Sequence, residues 1–428
     1  MIEVLILLGS FTVLCMIGMP VAYTLGLAAI LGALWIDVPL EAVMIQISSG
    51  VNSFSLLAIP FFVLAGAIMA EGGMAVRLVN LARIFVGSVR GGLALVNVIA
   101  STFFSGVSGS SVADTASIGS VLIPQMVKQG YPKVFATNVT ICGSVQAVLI
   151  PPSHNAVLYS LAAGGTISVA QLFLAGVLPG LLFGACVMGL CLFLSYRRGY
   201  PKGESVTIRQ AGKIVVEALW GLVTVVIILG GILSGVFTPT ESAAVACLYA
   251  FLVTMFIYRD YKWRELPMLL HRVTKMVAMV MMLIGFSAAF GYMMALMQVP
   301  AKATSFFVSV ASNKYELLLM INILLVALGT FMDMAPMILI CTPILLPVIL
   351  KFGIDPVHFG MILLVNSGIG LITPPVGPTL FVGCAIGKVT MEEVSKELWP
   401  FYAAMCAALL IVTYFPALSL WLPHLLMP

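Results

Sequence analysis

The sequence predicts an all-α polytopic membrane protein made of two inverted-topology repeats, each carrying a re-entrant helical hairpin and a broken helix. Three observations predict it. Of 428 residues, 61% are hydrophobic and 8% charged, and apolar runs repeatedly reach the roughly 18–20 residues that cross a bilayer core. Sliding the chain against itself by 223 residues aligns Ile123–Gly130 with Leu346–Gly353, and in the same register Gly106 meets Gly329, Ser144 meets Ser367 and Gly164 meets Gly387. The third is proline placement: Pro151-Pro152 and Pro374-Pro375 fall in this same register, in the middle of apolar tracts. Each proline there removes a backbone donor and opposes a continuous helix.

Basic residues order the elements, since short connections rich in Lys and Arg stay in the cytoplasm. Ile2–Trp35, preceded by no basic residue and longer than a signal-peptide core, is expected to be a retained first span kinked at Pro20. Asp37–Ser53 has no Lys or Arg and lies outside; Leu56–Ala70 then leads inward to Arg77, Arg83 and Arg90 on an amphipathic arm along the interface. An apolar excursion returns to Lys128 and Lys133 on the same side. Residues 134–163 cross outward through the first Pro pair, and 171–196 cross back to the basic stretch Tyr196–Gly203. One span near 215–236 turns the second copy over. The next runs from Thr238–Ala244 to the connection holding Arg259, Lys262, Arg264, Arg272 and Lys275. The second arm and hairpin flanks, 302–356, carry three Lys or Arg where 77–133 carry five, as an outward-facing copy should. Nine full spans and two re-entrant hairpins result. The expected division is 1–203 for the first repeat, 204–237 for a cytoplasmic connection with its linking span, and 238–428 for the second repeat.

The net charge of +4, carried on short connections, speaks to orientation and not to a nucleic-acid partner. The eight cysteines sit in apolar segments with no CxxC and read as small buried hydrophobes.

Upstream of each Pro pair lies a second irregularity, Ser105–Ser120 and Gly329–Met337, flanked by apolar runs, which reads as a hairpin tip. Irregular backbone at membrane depth belongs where protein buries it or water reaches it. Ser and Gly there offer carbonyl and hydroxyl oxygens to a small hard cation, while half-helices present amides at one end of a break and carbonyls at the other. A lone proline such as Pro20 reads as a structural kink; a matched pair in inverted halves reads as a site, as in many secondary transporters. Asp114 and Asp333 are the carboxylates of the two tips, open to sodium coordination, a structural role or a protonated carrier site. Glu241 reads as a helix N-terminal residue. His154, beside the first Pro pair, reads as a partner of the broken backbone or of substrate.

Five phrases, Gly18–Gly26, Ser105–Asp114, Ile150–Ser153, Gly235–Ala244 and Ile372–Pro378, together resemble the large membrane (M) subunit of tripartite ATP-independent periplasmic (TRAP) transporters, in the family's order and over essentially the whole chain. The resemblance implies an elevator-type transporter of the bacterial inner membrane that couples uptake of a small organic acid to Na+. It also implies a periplasmic substrate-binding protein and a small four-span membrane subunit, here on a separate chain. Carried across by position, sodium site 1 would use Ser108, Ser110, Ser153 and Asn155, and sodium site 2 Gly329, Asp333, Gly370, Thr373 and Gly377. Ser111, Asp114, His154, Pro374 and Pro375 would stand at the substrate or behind the ions. Neither tip nor break contains Lys or Arg, so helix N-termini, hydroxyls and bound sodium would meet the substrate's carboxylate.

Other readings are a self-sufficient ion-coupled carboxylate carrier of the same plan, an open channel, and an aspartyl protease using Asp114 and Asp333. The contexts SVADTA and TFMDMA lack a GxGD-like turn, which counts against the protease, and closed hairpins suit occlusion better than an open pore.

Overall fold

The computed structural model of the protein describes residues 2–87, 89–202 and 208–427. The expected boundary at 203/204, with Gly203 at the end of the basic stretch, lies outside the described residues. Among these, regular structure is helical apart from an isolated bridge between Arg90 and Lys202, as required where no water can satisfy a lipid-facing backbone.

The first half of the chain forms α1 (Ile2–Met16), α2 (Val21–Trp35), α3 (Leu40–Val51), α4 (Ala58–Glu71), α5 (Met74–Val86), α6 (Gly92–Ser108), α7 (Ser111–Lys128), α8 (Lys133–Ser144), α9 (His154–Ala162) and α10 (Val169–Arg198). After α11 (Ile208–Leu233) come α12 (Pro239–Leu252), α13 (Leu266–Leu296), α14 (Val299–Val310), α15 (Lys314–Gly329), α16 (Met334–Lys351), α17 (Pro356–Gly370), α18 (Pro378–Gly387), α19 (Met391–Glu397), α20 (Trp399–Tyr414) and α21 (Ala417–Leu426). The 223-residue register is visible in these bounds. Helices α7 and α16 begin and end at corresponding positions, and α8 and α17 begin at corresponding residues, Lys133 and Pro356. Both arms are helices, α5 and α14.

The first expected span is corrected. Instead of one kinked helix, α1 and α2 pack side by side: Cys15 Sγ lies 3.5 Å from Thr24 Oγ1, and Leu7 lies against Gly32. Gly18 takes φ +88° and Pro20 precedes the first residue of α2, so a left-handed turn and a residue needing no donor reverse the chain. The outer connection 37–53 is itself largely helical, as α3, and both α2 and α3 pack on α13. Among the described residues six helical segments are long and apolar enough to cross a membrane, or seven if α19 and α20, bent by 59°, count as one span. One of the six, Met334–Lys351, is a hairpin limb. The tracts 134–163 and 356–387 are discontinuous, as expected. Glu241 closes a capping box, its Oε2 accepting from Thr238 N at 2.8 Å.

Two assemblies emerge from the packing. Helix α9 of the first repeat packs on α16 of the second, and α18 packs on α7 and α8. Each broken helix therefore lends its second half to the other repeat's hairpin. Helix α17 packs on both limbs of its own hairpin, α15 and α16; α10, α20 and α21 close around this inner body, while α2, α3, α4, α11, α12 and α13 form an outer frame.

Candidate ion and substrate site

Tip 1 is the two-residue break between α6 and α7. Gly109 turns at φ +58°, a conformation that favours glycine, and a Cβ built there would run into the Pro152 carbonyl and lie 3.4 Å from Ser153 Cα. The tip backbone therefore closes directly on the first Pro pair. Ser110 caps α7, its Oγ accepting from Ala113 N at 3.4 Å, and Ser108 Oγ accepts from Ser110 N at 3.4 Å. Across the break, Ser153 Oγ donates to the Val148 carbonyl at 2.7 Å. Asn155 is buried and makes no side-chain hydrogen bond to a described residue. His154 is the first residue of α9, next to Ser153 and so beside the tip at Gly109. The structure thus brings Ser108, Ser110, Ser153, His154 and Asn155 to one junction.

Tip 2 meets the second break in the same way. A Cβ on Gly329 would lie 3.1 Å from Gly370 Cα, and one on Gly370 would lie 2.8 Å from Gly329 Cα, so two backbones touch where side chains would separate them. Asp333 is the N-cap of α16, its Oδ1 accepting from Met334 N at 2.8 Å. Thr373 Oγ1 donates to the Ile369 carbonyl at 2.7 Å, and Gly377 N donates to the Thr373 carbonyl at 3.1 Å. Pro374 and Pro375 form the outer part of this turn, and the Pro151-Pro152 and Pro374-Pro375 peptide bonds are both cis. The first turn of α9 receives no side-chain cap, whereas α18 begins with Pro378, which has no amide hydrogen, and Thr379 N and Leu380 N donate to the Leu371 carbonyl at 3.1 and 3.4 Å.

Asp114 stands apart from both junctions. It lies in the first turn of α7, fully buried, with Oδ1 accepting from Ser101 Oγ at 3.0 Å. Ser105 Oγ, which donates to the Ser101 carbonyl at 2.6 Å, sits 3.4 Å from Oδ2. This carboxylate ties the limbs of hairpin 1 together.

Ser111 belongs to a cluster that the sequence reading missed. Its Oγ lies 3.0 Å from Ser144 Oγ and 3.1 Å from Thr379 Oγ1, while Thr115 Oγ1 donates to Ser144 Oγ at 2.7 Å. These four hydroxyls join hairpin 1 to both broken helices. The four-residue spacing of Ser111 and Thr115, one helical turn, is the signal that places them on one face; Thr379 comes from the other repeat and gives none. Tyr402, whose hydroxyl donates to the Ile372 carbonyl at 3.1 Å, pins the second break from α20 and was likewise missed. Body and frame meet at small residues: a Cβ on Gly66 of α4 would lie 3.1 Å from Ser108 Cα. A cavity of about 260 Å³ lies among α3, α9, α13 and α16, lined among others by Ser49, Ser53, Ser287 and Leu339.

The model of the family "Tripartite ATP-independent periplasmic transporter, DctM component" matches residues 8–418. The chain belongs to this family. The C4-dicarboxylate TRAP transporter large permease protein DctM of Rhodobacter capsulatus is 39% identical over 439 residues, covering 99% of this chain and 99% of that one. The isethionate TRAP transporter permease protein DctMQ of Oleidesulfovibrio alaskensis is 39% identical over 419 residues, covering 97% of this chain and 66% of that one. Among solved structures, the Alcanivorax borkumensis YdaH transporter shares the fold, with a TM-score of 0.65 at 16% identity over 91% of this chain and 90% of that one. As a member of the DctM family this chain is a multi-pass membrane transport subunit and not an enzyme, which disposes of the aspartyl-protease reading.

Proposed function

We propose that this chain is the membrane-embedded transport subunit of a sodium-coupled, binding-protein-dependent carrier that imports a small organic acid across the bacterial inner membrane by an elevator movement. The observation that carries this reading is the pair of junctions where each glycine-bearing tip closes on the Pro-pair break of its own repeat. Their oxygens are neutral except for Asp333. Among the described residues no group of three or more His, Cys, Asp or Glu could hold a metal ion, so the donor set suits a monovalent hard cation better than a divalent one that demands several carboxylates. Sodium bound at both junctions, with the uncapped N-terminus of α9, supplies the positive potential that attracts the substrate's carboxylate to the space between the tips. The division into repeats at 1–203 and 238–428 places one junction in each.

The substrate is of dicarboxylate, sugar-acid or sialic-acid type, and the small four-span subunit and the periplasmic binding protein are separate chains. Proteoliposomes test this. With the small subunit reconstituted beside this chain and the loaded binding protein outside, an inward sodium gradient should drive accumulation of the acid. Omitting the binding protein or replacing sodium with potassium should abolish it. Uptake that persists without the binding protein would favour a self-sufficient carrier, and uptake indifferent to sodium would overturn the coupling.

A further inference from the structure

Between the end of α12 and the start of α13 the surface forms a groove of about 610 Å³, lined by Met255, Arg259, Tyr261, Lys262, Trp263 and Arg264. None of these residues takes part in the junctions. Arg259, Lys262 and Arg264 are exposed, and none of the three forms an ion pair with a described carboxylate; Arg259 uses its Nε only on the Phe256 carbonyl at 3.1 Å. The nearby acids face elsewhere. Asp260 holds Arg77 of the first arm at 2.6 Å, and Glu71 holds Arg272 at 2.6 Å. Glu265, exposed at the rim, leaves the groove with a surplus of positive charge.

The floor is rigid. Tyr261 is buried, and its hydroxyl lies 3.0 Å from Glu71 Oε2. One wall is aromatic: Trp263, 59% exposed, packs edge-on against Phe251 and Phe256 at ring-centroid distances of 5.9 and 6.1 Å. Below it Phe256, Ile257, Leu252 and Leu248 are exposed on the apolar span, so an unbroken apolar surface leads from the membrane interior to the cations. Amphipathic tryptophan at headgroup level above apolar residues, with Lys and Arg at the cytoplasmic end of a span, is the pattern expected of a lipid-binding surface.

We propose that this groove binds the phosphate of an anionic glycerophospholipid, with Arg259, Lys262 and Arg264 around the headgroup, Trp263 beside the glycerol and the acyl chains along Phe256 and Leu252. A bound lipid there fastens the outer frame to the bilayer next to the Arg77–Asp260 contact that ties it to the arm. A free phosphate ion shares the charge chemistry but not the apolar surface, and a protein partner would use both.

The test uses the purified chain, alone and with its small subunit, stripped of lipid in detergent and titrated with phosphatidylglycerol, phosphatidylcholine or inorganic phosphate. Bound lipid is counted by native mass spectrometry and thermal stability is followed in parallel. Phosphatidylglycerol should be retained and stabilise the protein, and the other two should not. In the triple variant Arg259→Gln, Lys262→Gln, Arg264→Gln retention should weaken about a hundredfold, while Lys213→Gln, an exposed charge on α11, should leave it unchanged. Should the triple variant fold poorly, Trp263→Ala with all cations intact should weaken phosphatidylglycerol retention and leave any response to inorganic phosphate unaltered. Equal retention by the triple variant overturns the proposal, as does stabilisation by inorganic phosphate alone. Loss of lipid retention when the small subunit is present assigns the groove to that protein and also overturns it.

Discussion

Asn155 and Asp333 are the side chains at the two junctions with coordinating capacity to spare. Asn155 is buried with its amide unbonded to any described residue, and Asp333 uses one carboxylate oxygen on the Met334 amide. Asn155→Ala removes a neutral ligand from the first junction. Asp333→Asn keeps a good helix cap and removes the charge. Each should raise the sodium concentration that half-saturates uptake by about tenfold, equivalent to roughly 1.4 kcal/mol, with melting temperature nearly unchanged for Asp333→Asn. Half-saturation unaltered in both variants would move the ion sites elsewhere. At this scale the sequence is partly legible. The serines and glycines near Gly109 and Gly329 stand out because irregular backbone is rare in apolar tracts. Of the roles the sequence leaves open for Asp114, the structure shows hydrogen bonding within hairpin 1: the helix resumes at Ser111 and turns the carboxylate inward to Ser101. The four-residue spacing of Ser101 and Ser105 on α6 was the available sign that a polar partner lay opposite.

The helices themselves follow from hydropathy and punctuation, and where that reading failed a tertiary partner decided. Gly18 and Pro20 are compatible with a kink or a reversal; α13, which receives both α2 and α3, selects the reversal. The matched Pro pairs located both broken helices correctly because a missing donor is a local property that packing cannot remove. Contacts between repeats were invisible, and the hydroxyls of Ser111, Ser144 and Thr379 are the clearest case. Thr379→Val keeps the shape of α18 and deletes its hydrogen bond to α7. It should lower stability by about 1 kcal/mol, seen as a reduced melting temperature in detergent, and a variant as stable as the parent would mean that α18 is held by apolar packing alone.

For the whole molecule, the exchange of half-helices interlocks the two repeats in one inner body, and this body meets the frame where Gly66 of α4 lies against Ser108 and beside the cavity bordered by α13 and α16. The elevator movement proposed above requires this seam to slide. The register of 223 residues announced two copies; only the structure shows that they are interlocked. Ser287 on α13 and Leu339 on α16 line the cavity from opposite sides, whereas Ser49 on α3 and Ser287 line it from the frame alone. The most direct measurement is uptake by two double-cysteine variants in a background with the native cysteines replaced, before and after bridging by a short bifunctional thiol reagent. Bridging Ser287→Cys to Leu339→Cys should stop transport, with recovery when a cleavable bridge is cut, and bridging Ser49→Cys to Ser287→Cys should leave it intact. Undiminished uptake with frame and body joined at 287 and 339 would contradict the sliding account.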